Sequence, residues 1–237
     1  MPQGMEVQIL SSPLLSPPTQ IKRPTGVNAQ FFKEWTPNMS YILGVVCADG
    51  CLVEHNNGYH CLNITSKDLE WLQMLKQTLQ AEQKICPKGT AHQLQIRNQN
   101  IYGDLLSLGL TPRKSKTLRM PFVPLSVFAD FSRGYFDGDG TIWFGRDTRW
   151  KNSWHMKASF YSGSYGFLET LRVQLQQCAA LSPGALMSLP TAFELRYCIK
   201  DAIKLYHWMY YDHRVLCLPR KRQRFEEFIQ LRQETTH

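Results

Sequence analysis

The sequence predicts an α+β chain made of two related halves, each running helix, strand, strand, helix, strand, strand, helix (αββαββα). Three observations predict it. The stretch from about residue 31 to 122 is echoed by the stretch from 123 to 237, and the offset between matched positions grows only from 90 to 96 to 101. Small drift of this kind is what loop insertions leave between the matched elements of a duplication. Within each half the apolar residues switch between helical spacing and strand-like runs. Each half also sets small residues four apart just before an Asp-Gly step, at Gly44, Ala48, Asp49, Gly50 and at Gly134, Gly138, Asp139, Gly140.

Residues 1–30 are expected to form a loosely ordered arm, since Pro2, Pro13, Pro17, Pro18 and Pro24 interrupt any period; its Lys22 and Arg23 could touch a polyanion. Thr36 followed by Pro37 is a helix start, and that helix should run to about Cys47 before Asp49-Gly50 breaks it. A strand-like run then leads through the turn His55-Asn56-Asn57-Gly58 into a second run ending near Thr65. The pattern predicts a helix over 68–80, with Trp71, Leu72 and Leu75 on its core stripe. Pro124 and Ser126 open the first helix of the second half, which should end near Asp137. A hairpin over Asp147 to Ser153 and a strand ending near Tyr161 follow. The helix over 165–178 puts Phe167, Leu168 and Leu171 inside. Ser66 answers Ser162, Trp71 answers Phe167, and Leu94 answers Leu195.

Composition narrows the function classes. The chain of 237 residues is 43% apolar, enough for one large core or two small ones pressed together. Its 27 Lys and Arg against 19 Asp and Glu give a net charge of +8, a balance that suits an acidic polymer as partner. Seven cysteines without a Cys-x-x-Cys pair fit free thiols in a reducing compartment better than a disulfide framework or a structural zinc site. No apolar run approaches the roughly 20 residues of a membrane span, and the N-terminus lacks a secretory pattern, so the expectation is an intracellular protein with no membrane partner.

The chemistry concentrates at the two Asp-Gly steps. Small residues four apart share one helix face, so two such helices can approach with their backbones nearly touching and deliver Asp49 and Asp139 side by side. Adjacent carboxylates repel unless divalent cations sit between them, the oxygen-rich setting that Mg²⁺ prefers. A calcium loop beginning at Asp137 is excluded, because Ile142 and Thr148 stand where glycine and glutamate would be needed.

The segments Ile42-Leu43-Gly44-Val45-Val46-Cys47-Ala48-Asp49-Gly50 and Ser132-Arg133-Gly134-Tyr135-Phe136-Asp137-Gly138-Asp139-Gly140 resemble the motif that names the LAGLIDADG homing endonucleases, in their two-motif, single-chain type. The resemblance spans roughly residues 31–230. It implies two pseudo-symmetric LAGLIDADG repeats whose antiparallel sheets form a saddle over the DNA major groove. It also implies metal ligation at Asp49 and Asp139, with Ala48 and Gly138 beside them, and no catalytic role for Asp137, whose counterpart is Cys47. Lys67 falls where family members carry a strand-end catalytic lysine, and its counterpart is Gly163. The implied activity is metal-dependent hydrolysis of both strands of duplex DNA by a monomer, leaving short 3′ overhangs at a long, nearly palindromic target, by an intron-encoded enzyme. Mg²⁺ is the implied cofactor, Mn²⁺ an alternative, and Ca²⁺ an occupant that does not support cleavage.

The basic clusters Arg113, Lys114, Lys116, Arg119 and Arg220, Lys221, Arg222, Arg224 close the two halves at matching places and are expected to touch phosphates. Base reading is expected from Glu54, His55, Asn63, Thr65, Gln93, Gln95 and Arg97 in the first half. In the second half the candidates are Arg146, Arg149, Lys151, Lys157, Ser159 and Arg196. The rival reading is an intron RNA maturase or a non-cleaving nucleic-acid binder on the same fold. An intein is disfavoured by Met1 and the ending Glu-Thr-Thr-His, and a regulator by the lack of a helix-turn-helix segment.

Overall fold

In the computed structural model, Thr36 caps the first helix as expected. Its side-chain oxygen accepts the Met39 backbone N–H, while Pro37 occupies a first-turn position whose N–H has no helical acceptor. The structure describes residues 26–55, 58–146 and 153–235. Most of the expected arm, the turn residues Asn56 and Asn57, and the candidates Arg149 and Lys151 lie outside the described residues. Residues 26–30, assigned to the arm from sequence, are instead tied to the first half: Asn28 N–H donates to the Leu79 carbonyl and Glu82 N–H to that of Gly26.

The first half follows the expected order: α1 (Pro37–Asp49), β1 (Gly50–Glu54), β2 (His60–Ser66), α2 (Leu69–Thr78), β3 (Ile85–Lys88), β4 (Ala91–Ile96) and α3 (Gln99–Ser107). The second repeats it: α4 (Phe128–Asp139), β5 (Gly140–Arg146), β6 (Trp154–Ser162), α5 (Tyr165–Ala179), β7 (Ala185–Ser188), β8 (Phe193–Cys198) and α6 (Ile199–Met209). Each half forms a four-stranded antiparallel sheet of one topology, β1-β2-β4-β3 and β5-β6-β8-β7. This is the α+β, two-repeat architecture read from the sequence.

The structure departs from the expected elements in three places. Helices α1 and α4 each run two residues past the expected end, so Asp49 and Asp139 are the last helical residues and not part of a following turn. Before α4, Leu125–Val127 form a 3-10 turn, and the α-helix proper starts only at Phe128. A further helix, α7 (Pro219–Thr235), extends the second half beyond the repeat. Its polar sequence reads as a basic run, yet Phe225 and Phe228 are fully buried, and Phe225 packs on Phe136 with ring centroids 5.6 Å apart.

Strand alternation sorts the sheets into two faces. In the first half Leu52, Leu62, Ile64, Leu94 and Ile96 point into the core with Trp71, Leu72 and Leu75 of α2. Phe167, Leu168 and Leu171 of α5 are likewise buried, as their spacing requires. The opposite faces are the polar ones.

Helices α1 and α4 pack against each other through glycine. A Cβ on Gly44 would lie 2.7 Å from the Tyr135 backbone nitrogen and closer still to the Phe131 carbonyl. A Cβ on Gly134 would press equally on the Tyr41 backbone. Only residues without side chains permit this approach, and it sets the distance between everything the two helices carry at their C-terminal ends.

Candidate functional site

Asp49 and Asp139 emerge together at the C-terminal ends of α1 and α4. A Cβ on Gly138 would stand 3.3 Å from Asp49 Oδ2 and closer still to Ala48 Cβ, so the glycine makes room first for the Ala48 methyl and then for the neighbouring carboxylate. Each aspartate directly precedes the first strand of its own sheet. Neither helix carries a basic residue in its last turn, and helix C-termini are the negative ends of their dipoles. Partial burial therefore acts on carboxylates already in a negative field. It pushes Asp49 up to about 6, with the Asp139 charge adding to the rise, and it raises Asp139 as well.

Two lysines from outside the motifs answer this field. Lys114 sits in a 3-10 turn over Lys114–Lys116 and donates from Nζ to the Gly50 carbonyl at 2.6 Å. Lys221, in the first turn of α7, donates to the carbonyls of Phe136 and Asp137, each at 2.7 Å, and of Gly138 at 3.1 Å. Lys221 adds to the capping of the last turn of α4, whose Phe136 carbonyl also accepts the Gly140 N–H, Lys114 reaches the residue just past α1, and each puts a cation where the dipole favours one. Burial lowers the pKa of both, Lys221 to about 8, and the two aspartates oppose that fall. Their basic runs predict an outer, phosphate-contacting position for these lysines. The structure places them inside, at 7% and 6% exposure, on either side of the carboxylate pair.

The signal that could have found them is the shared tripeptide Pro112-Arg113-Lys114 and Pro219-Arg220-Lys221. Its arginines remain exposed, and that of Arg220 reaches across to the first half, donating to both Asp68 carboxylate oxygens from Nε at 3.0 and 3.2 Å. Lys116 and Arg119 are also exposed. Arg222 and Arg224 are paired to Glu226 and Glu227 along α7.

Lys67 is exposed between β2 and α2, whereas the cations acting on Asp139 are Lys114 and Lys221, joined at Asp49 by Arg220. Its counterpart Gly163 is glycine for a steric reason: a Cβ there would lie 3.1 Å from the Ser115 carbonyl carbon and closer to its oxygen. The turn that carries Lys114 thus occupies the space a second Lys67 would need. Gly163→Lys is expected to cost about 1–3 kcal/mol of overpacking and to lower the melting temperature. An unchanged Tm would show that the turn yields.

Asp137, at the position answering Cys47, is committed to structure. Its buried carboxylate accepts from Tyr41 Oη at 2.8 Å, the Leu218 N–H at 2.7 Å and Tyr210 Oη at 3.4 Å. It thereby ties α1 to the start of α7.

Among the base-reading candidates, alternation and register separate two groups. On the outward face of the first sheet, Asn63 pairs across to Gln95 and Thr65 to Gln93, and Gln93 Nε2 donates to Thr65 Oγ1 at 3.2 Å. On that of the second, Ser159 pairs to Arg196 and Lys157 to Trp143, with the Lys157 ammonium 5.3 Å from the Trp143 ring centroid. Arg97 and His55 are exposed just beyond the ends of β4 and β1. Glu54 and Arg146 share the core-facing parity of their strands instead. Glu54 accepts from Tyr102 Oη at 2.7 Å, and Arg146 lies 5.2 Å from the Trp154 ring. Neither is placed among the outward residues.

The oxygen donors suit a hard divalent ion. Among the described residues no group of three or more His, Cys, Asp or Glu gathers as a metal cluster. Mg²⁺ is commonly held by one or two carboxylates, with phosphate and water completing its shell, so the pair fits such an ion together with a phosphodiester. No described helix is long and apolar enough to cross a membrane, and all seven cysteines are free.

No family model and no curated relative matches this sequence. Solved structures do match the fold. The LAGLIDADG meganuclease I-AabMI, bound to uncleaved DNA, is 14% identical at a TM-score of 0.62, over 86% of this chain and 93% of that one. The homing endonuclease I-SmaMI, bound to cleaved DNA, is 11% identical at 0.59, over 86% and 92%. A variant of I-DmoI, in complex with its target DNA in the presence of manganese, is 15% identical at 0.53, over 75% and 95%. At these identities the likeness establishes the fold: the chain has the two-repeat architecture of the LAGLIDADG homing endonucleases.

Proposed function

We propose that this chain, on its LAGLIDADG fold, is a sequence-specific endonuclease that cuts both strands of duplex DNA as a monomer. The observation that carries the reading is the pair Asp49 and Asp139, desolvated at the joined ends of α1 and α4 and bracketed by the buried Lys114 and Lys221. A site of purely structural purpose gains nothing from two partly buried carboxylates of raised pKa at negative helix ends. A site for phosphodiester hydrolysis needs them ionised and close to a phosphate.

Asp49 and Asp139 are the residues that would hold Mg²⁺ or Mn²⁺, beside the carbonyls of Ala48 and Gly138. Ca²⁺ could sit there without supporting cleavage. A bound divalent cation supplies Lewis-acid polarisation of the phosphate and lowers the pKa of an attacking water. Lys114 and Lys221 keep the carboxylates ionised and offset charge that develops on the phosphate. Water attacks phosphorus and the 3′ oxygen leaves, giving 5′-phosphate and 3′-hydroxyl ends with short 3′ overhangs. Arg113, Lys116 and Arg119 on one side and Arg220 on the other supply exposed positive charge for the backbone. The outward faces of both sheets then meet the major groove.

The test is cleavage of a randomised duplex library by the purified protein with Mg²⁺, beside the Asp49→Asn, Asp139→Asn double variant. Defined double-strand breaks made only by the parent are the expected result. Binding without cleavage in Mg²⁺ and in Mn²⁺ would overturn the nuclease reading in favour of an RNA maturase or a non-cleaving binder.

A further inference from the structure

Although the two sheets share one topology, their outward faces differ in chemistry at matching positions. Gln93 and Gln95 on β4 correspond to Glu194 and Arg196 on β8, each pair 101 residues apart. The match is structural as well, since Gln95 stands opposite Asn63 and Arg196 opposite Ser159, the same step of their ladders.

Arg196 is held rather than free. Glu194, at 3% exposure, accepts from its Nε at 2.8 Å and its Nη2 at 2.7 Å, and also from Ser159 Oγ at 2.7 Å. This bidentate grip consumes one edge of the guanidinium. It leaves one Nη1 hydrogen and the second Nη2 hydrogen side by side on the outer edge, two parallel donors at a fixed angle. The guanine major-groove edge offers two parallel acceptors, O6 and N7. At the matching place, Gln95 Oε1 accepts from Arg97 Nε at 3.3 Å and Nη2 at 3.1 Å. The amide is steadied while keeping an acceptor lone pair and two donors, the complement of adenine N6 and N7.

We infer that Arg196 and Gln95 read different bases at symmetry-related positions of the target, guanine in the half-site under the second sheet and adenine in the half-site under the first, so the target is not palindromic there. Glu194 is the positioning residue that fixes the guanidinium. The inference rests on the duplex-binding reading above and deepens it. A nearly palindromic target, as expected from sequence, admits a mismatch at this one pair of positions.

The experiment is selection of bound duplexes from a randomised library in Ca²⁺, which removes any need for cleavage, followed by the reciprocal variants Arg196→Gln and Gln95→Arg. The parent is expected to enrich one site with G in one half and A at the mirrored place in the other. Arg196→Gln should switch that G to A, and Gln95→Arg should switch the A to G, each by about 5- to 150-fold, the range of one bidentate base contact. Glu194→Gln should weaken the guanine preference at that position while the other positions keep theirs. If Glu194 and Arg196 only brace the sheet, Tm falls and the selected base stays, which overturns the inference. The Gln95→Arg arm remains decisive even if Arg196→Gln fails to fold. An enriched site with the same base at both mirrored positions overturns this inference alone, whereas no enriched duplex overturns the duplex-binding reading with it.

Discussion

Asp49→Asn is expected to abolish cleavage and, at neutral pH without divalent cation, to make the folded protein more stable. Burial and the neighbouring Asp139 hold Asp49 at about 6, above its ordinary 3.8. Between those values the folded state binds a proton that the unfolded state releases, so stability falls as pH rises from about 4 to about 6 and stays low above that. A rise of this size corresponds to at most ~3 kcal/mol, reduced to the order of 1 kcal/mol by the site's partial exposure and solvent screening. Asparagine keeps the shape and removes the charge, so the variant should melt about 2–4 °C above the parent at pH 7.5 in chelator for each kcal/mol recovered. The two proteins should converge near pH 4. Adding Mg²⁺ or Ca²⁺ should raise the parent's Tm and leave the variant's nearly unchanged. Loss of stability in the variant at both pH values would mean that the carboxylate serves the fold and not an ion.

Gly44→Ala should be the most destabilising single-methyl change along α1. The new Cβ would meet backbone, the Phe131 carbonyl and the Tyr135 nitrogen, not a side chain that can rotate away. Relief requires α1 and α4 to move apart along their whole contact, so the cost should reach or exceed the upper end of ordinary overpacking, about 3 kcal/mol. That corresponds to a Tm drop of roughly 6–12 °C for a chain of this size. Cleavage should fall with it, because separating the helices separates Asp49 from Asp139. Gly103→Ala is the control: it lies inside α3, nothing stands within 4 Å of its added Cβ, and alanine favours the helix by roughly 0.5–1 kcal/mol. Equal melting temperatures for the two variants would show that glycine at position 44 is not what sets the helix separation.

These two predictions draw on different amounts of what the sequence displays. The glycine face, the paired aspartates and the repeat were all legible. Each is a statement about spacing, and the periods of helix and strand turn spacing into geometry without help from distant residues. Thr36 could be read as a cap because its partner, the Met39 N–H, is three residues away. Trp71 and Phe167 could be read as core because each lies on an apolar helical stripe.

Lys114 and Lys221 could be noticed but not placed. A lysine within a basic run reads the same whether its stem lies in water or beneath a helix end contributed from 64 or 83 residues away. The sequence shows no cation in the last turns of α1 and α4, but only the packed chain shows that these ends draw their cations from elsewhere. The same holds for Gly163, whose missing side chain is explained by Ser115 in the other half, and for Glu54 and Arg146, where one step of strand parity turns a side chain away from the outward face. Helix α7 eluded the pattern because its two buried phenylalanines, Phe225 and Phe228, stand among charges. The sequence alone therefore determined the duplication, the order of elements within each repeat and the two aspartates, all of them local or periodic properties. The tertiary structure decided which cations face those aspartates and which polar side chains face outward, because burial and long-range pairing depend on which segments meet.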